Sequence, residues 1–494
     1  MGIIERQTVK GSFYSYIGVA LGFVTVGLLW PRFLEPEEIG LINFFVAISA
    51  ILAQVGSLGI NSVCVRLFPE FRDPSRKHNG FLSLGLLFLA VGTVIILAYY
   101  LVFREKIIEN NTEKSFLVAN YVYFIVPYTV ATLLFTFFES LYRLIYNAVI
   151  GVFLKEFVFR LLNLILIGLY AWTAFSFKLF LNIYFIIFSI PSLVLIIALA
   201  RTRQFNLSFR LNYISKDLGR SVADVSFFGM VAGMGTIAIS SIDKIMINHY
   251  IDLEATGIYS IAFLFGTIIS LPSRPLTKIA STIVAESWKK DDLENIRVIY
   301  AKSCINQMIF AGLIFLLVWL NVDLVFLVIP GKYEAGKMVI LFMSLSNLVL
   351  MATGMNGMIV TASKYYRVHS LFVFIFLIVV VLTNILFIPK WGITGAAIAA
   401  LISNVGYNLM RVWFLWWKFR MQPYNYRNLV VVLLLLASIL AGTWLQGVEH
   451  WLVRTALICL SILLIYLVPI FAFRISKDLN SSMINIYHRV LGKR

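Results

Sequence analysis

The chain is a nearly unbroken series of apolar stretches, and their length constrains its fold more than any single motif does. A bilayer core is crossed by a helix of about 20 mainly apolar residues. Such stretches lie near 12–31, 39–60, 80–103, 116–138, 150–172, 178–199, 225–248, 257–279, 303–321, 337–360, 368–388, 392–414, 428–446 and 451–473. They predict an all-α polytopic membrane protein with about fourteen transmembrane helices. Charge density agrees: 13% of the side chains are charged, against about 25% in a soluble globular protein. The first stretch, Ser12 to Trp30, runs into Pro31-Arg32 without a small-residue cleavage site, so it reads as a span and not as a signal peptide.

Fourteen spans sort the loops onto two sides of the membrane. The side holding both chain ends carries 29 Lys and Arg against 10 acidic residues, and the opposite side carries 9 against 11. Inside spans remain Lys155, Arg160, Lys244, Glu156, Asp224 and Asp243. By the positive-inside rule the basic side is cytoplasmic, with both termini there. A miscount of one early helix would move later basic loops to the wrong side, so the clean alternation checks the count. The net charge of +17 does not point to nucleic acid, because no soluble stretch exceeds roughly 25 residues and the excess sits in short loops.

Other chemistry is excluded by what the chain lacks. Cys64, Cys304 and Cys459 are odd in number and far apart, and His78, His249, His369, His450 and His488 are equally scattered. Neither a disulfide framework nor a metal site is expected. No phosphate loop, HExxH or nucleophile elbow occurs. No cofactor is expected, and ATP bound within this chain does not drive transport.

One duplication is visible. Phe33-Leu34-Glu35-Pro36-Glu37-Glu38-Ile39-Gly40-Leu41 and Tyr250-Ile251-Asp252-Leu253-Glu254-Ala255-Thr256-Gly257-Ile258 are acidic outer turns separated by a constant offset of 217 residues. Six spans lie between them, so the halves have the same orientation and are related by an axis along the membrane normal. The expected layout is a six-helix bundle at 1–200, a cytoplasmic linker at 201–222, a second bundle at 223–420, two further helices at 421–474 and a cytoplasmic tail at 475–494.

Charges sunk in the bilayer cost at least about 2.5 kcal/mol each and mark candidate sites. In the fifth span the apolar run Leu161 to Trp172 has only twelve residues, so crossing requires Lys155, Glu156 and Arg160 to enter the membrane, Arg160 near mid-depth. Glu156 and Arg160 are four apart and share a face with Asn163. Either this stripe lines a cavity where Arg160 meets an anion, or a self-neutralising pair eases insertion while Lys155 snorkels to the surface. Asp243-Lys244, near the outer end of the seventh span, admits the same two readings. Gly229 and Gly233 in that span form a packing face that also permits bending. Arg274 lies in Pro272-Ser273-Arg274-Pro275, a break in the eighth span. Such a break survives only against protein or a wet cavity. Arg66 marks the inner end of the second span and Gln54 lies near its middle; inner-surface anchoring competes with cavity lining for both arginines.

The outer turn Phe33 to Gly40, the segment Ile242-Asp243-Lys244 with Gly257-Ile258-Tyr259-Ser260-Ile261-Ala262, and the segment Pro389-Lys390-Trp391-Gly392-Ile393-Thr394-Gly395-Ala396-Ala397-Ile398-Ala399 resemble the bacterial polysaccharide (O-antigen) flippase family. That family lies within the multidrug/oligosaccharidyl-lipid/polysaccharide exporter superfamily, whose fold is called MATE-like. With the span layout, the resemblance covers essentially the whole chain. It implies a flippase moving undecaprenyl-diphosphate-linked oligosaccharide, an O-antigen, capsule or exopolysaccharide repeat unit, to the outer leaflet of a bacterial inner membrane. The work would be done by alternating access around a basic cavity. Arg160, with Lys155, Arg66, Arg274, Lys244, Gln54 and Asn163, would meet diphosphate or glycan, since Arg grips phosphate oxygens through paired hydrogen bonds. Glu156 and Asp243 are the ion-pair or coupling candidates, and H⁺, Na⁺ or the membrane potential would supply the drive. The expected partners are the lipid-linked glycan, the bilayer and other polysaccharide-assembly membrane proteins; the expected state is a monomer.

Two other functions compete. A cation-coupled multidrug exporter of the same superfamily would want acidic residues in the first and seventh spans. The first span has none, and Asp243 alone keeps the idea open. An envelope glycan polymerase or ligase would need a sizeable outer loop, and the longest, Asn321 to Gly336, is too short for a domain.

Overall fold

A computed structural model of the chain describes residues 3–73, 75–112, 115–144, 149–202, 207, 213, 215–476 and 478–481. Every regular element among them is helical. Eleven helices are long and apolar enough to cross a membrane, and a twelfth span arises if the bent pair Lys216–Gly235 and Ile237–Tyr250, at 58°, is taken as one.

The difference from fourteen has two local causes. The eleventh and twelfth expected spans form one continuous candidate, Arg367–Phe419, whose 53 residues would extend to about 80 Å at 1.5 Å per residue. Its helix is interrupted by Gly392, whose φ of 58° and ψ of −138° are non-helical. The fifth expected span, Val149–Val152 through Phe153–Val158 to Phe159–Thr173, is helical throughout but carries Lys155, Glu156 and Arg160. The bend in the seventh span falls beside Gly233 and Gly235, where the sequence permits it. The eighth loses α-helical form at Ile268–Ser270, ahead of Pro272, and resumes as Ser273–Lys289.

The chain divides into two compact units. Met1–Ile261 with Val373–Ala396 forms the first, and Ala262–Phe372 with Ala397–Arg494 the second. Each has its own apolar centre: Phe68, Phe71, Phe81 and Phe137 in the first, Ile309, Phe315, Val431 and Tyr466 in the second. Within the first unit the helix Lys216–Tyr250 packs along Pro36–Gly56 and Ile60–Phe71. Residues 203–206, 208–212 and 214 of the 201–222 linker, and most of the 475–494 tail, lie outside the described residues.

The two repeat copies meet inside the first unit. A Cβ on Gly40 would overlap the carbonyl oxygen of Leu253, and one on Gly257 would overlap the carbonyl oxygen of Pro36. The contact is reciprocal, because Pro36 and Gly40 stand to Leu253 and Gly257 at the repeat offset of 217.

Candidate functional site: an arginine clasped between the first and fifth spans

Arg160 sits near the middle of the fifth span, and the first span is shaped to receive it. Gly18 and Gly22, one helical turn apart, let the two backbones approach. A Cβ on Gly18 would overlap the carbonyl of Glu156, and one on Gly22 would lie 2.7 Å from the Arg160 guanidinium. Into this groove Arg160 donates a hydrogen bond to the Gly18 carbonyl at 2.5 Å. Its other terminal nitrogen pairs with the Glu156 carboxylate at 2.7 Å, with the two side chains 26% and 22% exposed. Those exposures leave the pair neither dry nor fully wet, so both sequence readings keep a structural basis.

Both helices wind irregularly here. Phe23–Leu29, after Gly22, is π-helical, and so is Phe153–Val158, which holds Lys155 and Glu156. A π turn shifts the hydrogen-bond register by one residue and is frequent at functional sites. One turn beyond Arg160, the buried Asn163 amide donates to the Phe159 carbonyl at 2.8 Å. Lys155 is exposed, its ammonium 5.2 Å from the Phe135 ring centre, which separates it from the Arg160 clasp.

The remaining residues singled out in the sequence are held by separate partners. Gln54 lies in the last turn of Pro36–Gly56, not near the middle of its span. The chain breaks there through Leu58 and Gly59, at φ of 47° and 77°. The Gln54 amide donates to the Met230 carbonyl at 3.1 Å and fills the space over Gly233. Arg66 is exposed on Ile60–Phe71. Lys244 donates to the Asn43 side chain at 3.0 Å. Asp243 does not snorkel: it is 4% exposed and accepts from the Tyr259 hydroxyl at 2.7 Å and the Asn384 amide at 2.9 Å. The Arg274 side chain lies outside the described residues.

A polar cluster in the second unit escapes the sequence reading. Asn404, Asn408 and Arg411 follow one face of Tyr366–Phe419. The Asn404 amide donates to Ser346 at 2.9 Å, and Asn408 accepts from Thr353 at 3.1 Å and Asn356 at 3.3 Å. Arg411 stacks over Tyr407, 3.6 Å from the ring centre, and its Nε is buried without an acceptor among the described residues. Gly357 makes room for it, since a Cβ there would lie 2.8 Å from the guanidinium. The signal was available: three polar residues at helical spacing inside an apolar run. Among the described residues, no group of three or more His, Cys, Asp or Glu could hold a metal ion.

Comparisons with known proteins place this architecture. An uncharacterized membrane protein of Methanocaldococcus jannaschii is 20% identical over 511 residues, covering 98% of this chain and 97% of that one. Among solved structures, the lipid II flippase MurJ in an inward closed conformation superposes with a TM-score of 0.72 at 13% identity, over 92% of this chain and 98% of its own. A multidrug resistance MATE family transporter in an inward-facing conformation gives 0.59 at 14% identity, over 82% and 94%. At such identities the likeness establishes a shared fold. The family model described as "Polysaccharide biosynthesis protein" matches residues 10–281, more than half of the sequence. This chain therefore belongs to the polysaccharide biosynthesis protein family.

Proposed function

We propose that the protein is a flippase that carries an undecaprenyl-diphosphate-linked oligosaccharide, such as an O-antigen or capsule repeat unit, from the inner to the outer leaflet of a bacterial inner membrane. The observation that carries this reading is an arginine clasped at mid-span in a polysaccharide biosynthesis protein whose fold is shared with a lipid flippase. A diphosphate offers more negative charge than the Glu156 carboxylate and more acceptor oxygens than one carbonyl. In a medium of low dielectric that difference is amplified. Arg160 would therefore exchange Gly18 and Glu156 for the diphosphate when the first and fifth spans part, and the π turns flanking the clasp supply the slack. When the cavity opens outward, the two original partners reclaim the guanidinium and the substrate leaves.

The proposed architecture has fourteen spans, counting the charged fifth helix and dividing Arg367–Phe419 at Gly392. Two six-helix halves are related by a pseudo-two-fold axis, and the reciprocal meeting of Gly40 and Gly257 supports that relation. The basic loops and both termini face the cytoplasm. A second reading, cation-coupled export of small molecules, draws on the buried Asp243 in the seventh span, held by Tyr259 and Asn384.

The test is a deletion strain scored for lipid-linked oligosaccharide trapped on the cytoplasmic leaflet and for glycan at the surface. Wild type should restore surface glycan and Arg160→Ala should not. Dye efflux conferred by wild type without restored glycan would establish the exporter reading instead. An Arg160→Ala protein that works like wild type would remove the clasp from the mechanism.

A further inference from the structure

At one end of the second unit, helix ends border an open cavity of about 570 Å³ that has no part in the scheme above. Its wall combines the last turn of Ser273–Lys289, the turn before Tyr366 and the last turn of Tyr366–Phe419. Three aromatic rings make a fixed surface. The Trp288 indole donates to the Ile359 carbonyl at 3.0 Å and meets Phe419 edge-on at 5.1 Å, and Phe419 lies 5.7 Å from Tyr365. Three lysines, all exposed, surround these rings: Lys289, Lys364 and Lys418. The ammonium groups of Lys364 and Lys418 converge on one ring, 5.6 Å and 5.3 Å from the centre of Tyr365.

Charge there is left uncompensated. Asp291 is the one carboxylate among the described lining residues, against three ammonium groups. Glu286, one turn before Lys290, is bound to Lys290 at 2.8 Å. None of Lys289, Lys364 and Lys418 has an ion-pair partner among the described residues.

The setting favours a lipid over a soluble ligand. Trp413 and Trp417, on the final turns of the helix that supplies Lys418, stack at 5.9 Å, and each is 57% exposed. Outward tryptophans at the end of an apolar helix mark the membrane–water interface. Basic pockets between helix ends at that level suit anionic headgroups, and the cytoplasmic leaflet is the anionic one. The loops that build the cavity belong to the side that the charge bias assigns to the cytoplasm.

We propose that this cavity binds the phosphate-bearing headgroup of an anionic phospholipid, with Lys364 and Lys418 on the phosphate and Trp288, Tyr365 and Phe419 against its glycerol. An acyl chain can then run along the Trp413–Trp417 face. Native mass spectrometry of the full-length protein in detergent tests this, with phosphatidylglycerol, phosphatidylcholine and free glycerol 3-phosphate as probes. Wild type should retain phosphatidylglycerol at least tenfold more tightly than phosphatidylcholine, and millimolar glycerol 3-phosphate should not displace it. The double variant Lys364→Gln/Lys418→Gln should lose that preference, and Lys364→Arg/Lys418→Arg should keep most of it, which separates lost charge from misfolding. Equal retention by wild type and the Gln variant, or no preference between the two lipids, overturns the proposal. Displacement by glycerol 3-phosphate overturns the lipid source and assigns the cavity to a soluble phosphate.

Discussion

Arg160 and Arg411 each lie inside an apolar helix, one in each compact unit, and their surroundings differ in kind. Arg160 has a carboxylate at 2.7 Å and a main-chain carbonyl at 2.5 Å. Arg411 has an aromatic face at 3.6 Å and no carboxylate partner among the described residues. The first arrangement neutralises its charge within one helix and fixes the guanidinium against a second, so binding an anion there means exchanging partners. The second spreads the charge over a ring and leaves Nε unsatisfied, so an anion arriving there displaces no carboxylate. Depth in the membrane therefore does not tell what a buried cation does; its partners do.

The strongest blow to this contrast is Gly18→Leu. The side chain would drive the first span off the Glu156 carbonyl and remove the Gly18 acceptor from Arg160. Overpacking of this kind costs about 1–3 kcal/mol. Surface glycan should fall at least tenfold and thermal unfolding in detergent should move to lower temperature; wild-type values for both would mean that the two helices do not need to touch.

Arg160→Met comes next. It strands Glu156 in a partly dry site, at about 1–2 kcal/mol, and should abolish most glycan export. Adding Glu156→Leu should return the unfolding temperature toward wild type without returning export. If export also returns, the pair serves insertion alone.

Arg411→Met should be milder. It loses a cation–π contact of about 0.5–2 kcal/mol but strands no carboxylate and removes an orphaned donor. The net loss of stability should stay under about 1 kcal/mol, and Tyr407→Leu in the same background should add little. Unfolding as severe as that of Arg160→Met would mean that the two arginines are held alike. Gly357→Ala should be the smallest change. Its Cβ would press only on the far end of the long Arg411 side chain, while Ala favours the helix by about 1 kcal/mol over Gly. A thermal shift within a degree or two of wild type is expected.

Much of this was legible in the sequence. Span lengths follow from bilayer thickness, a local quantity, so the helical membrane fold could be read without knowing any contact. The place of Arg160 inside the fifth helix was legible for the same reason, because the apolar run after it has only twelve residues. The clasp itself was not, since Gly18 and Arg160 are 142 residues apart and nothing in the first span announces its partner. Asp243 resembled an interfacial charge because the neighbour that buries it, Asn384, is 141 residues away. Arg411 lies within the expected span 392–414, but the space that receives it is left by Gly357, 54 residues away, which no local pattern announces. Gln54 was misplaced by the turn at Leu58 and Gly59, where positive φ values stop a helix that hydropathy alone would continue.

The crossing of Gly40 and Gly257 bears on how the duplicated chain can change. Each glycine leaves room for a carbonyl of the opposite copy, so enlarging either one lifts both helices from both sides of the crossing. Neither position has room for a side chain, and because the obstacle is main chain and the counterpart is already a glycine, no change at the other position relieves it. At this crossing each copy fixes the residue of the other.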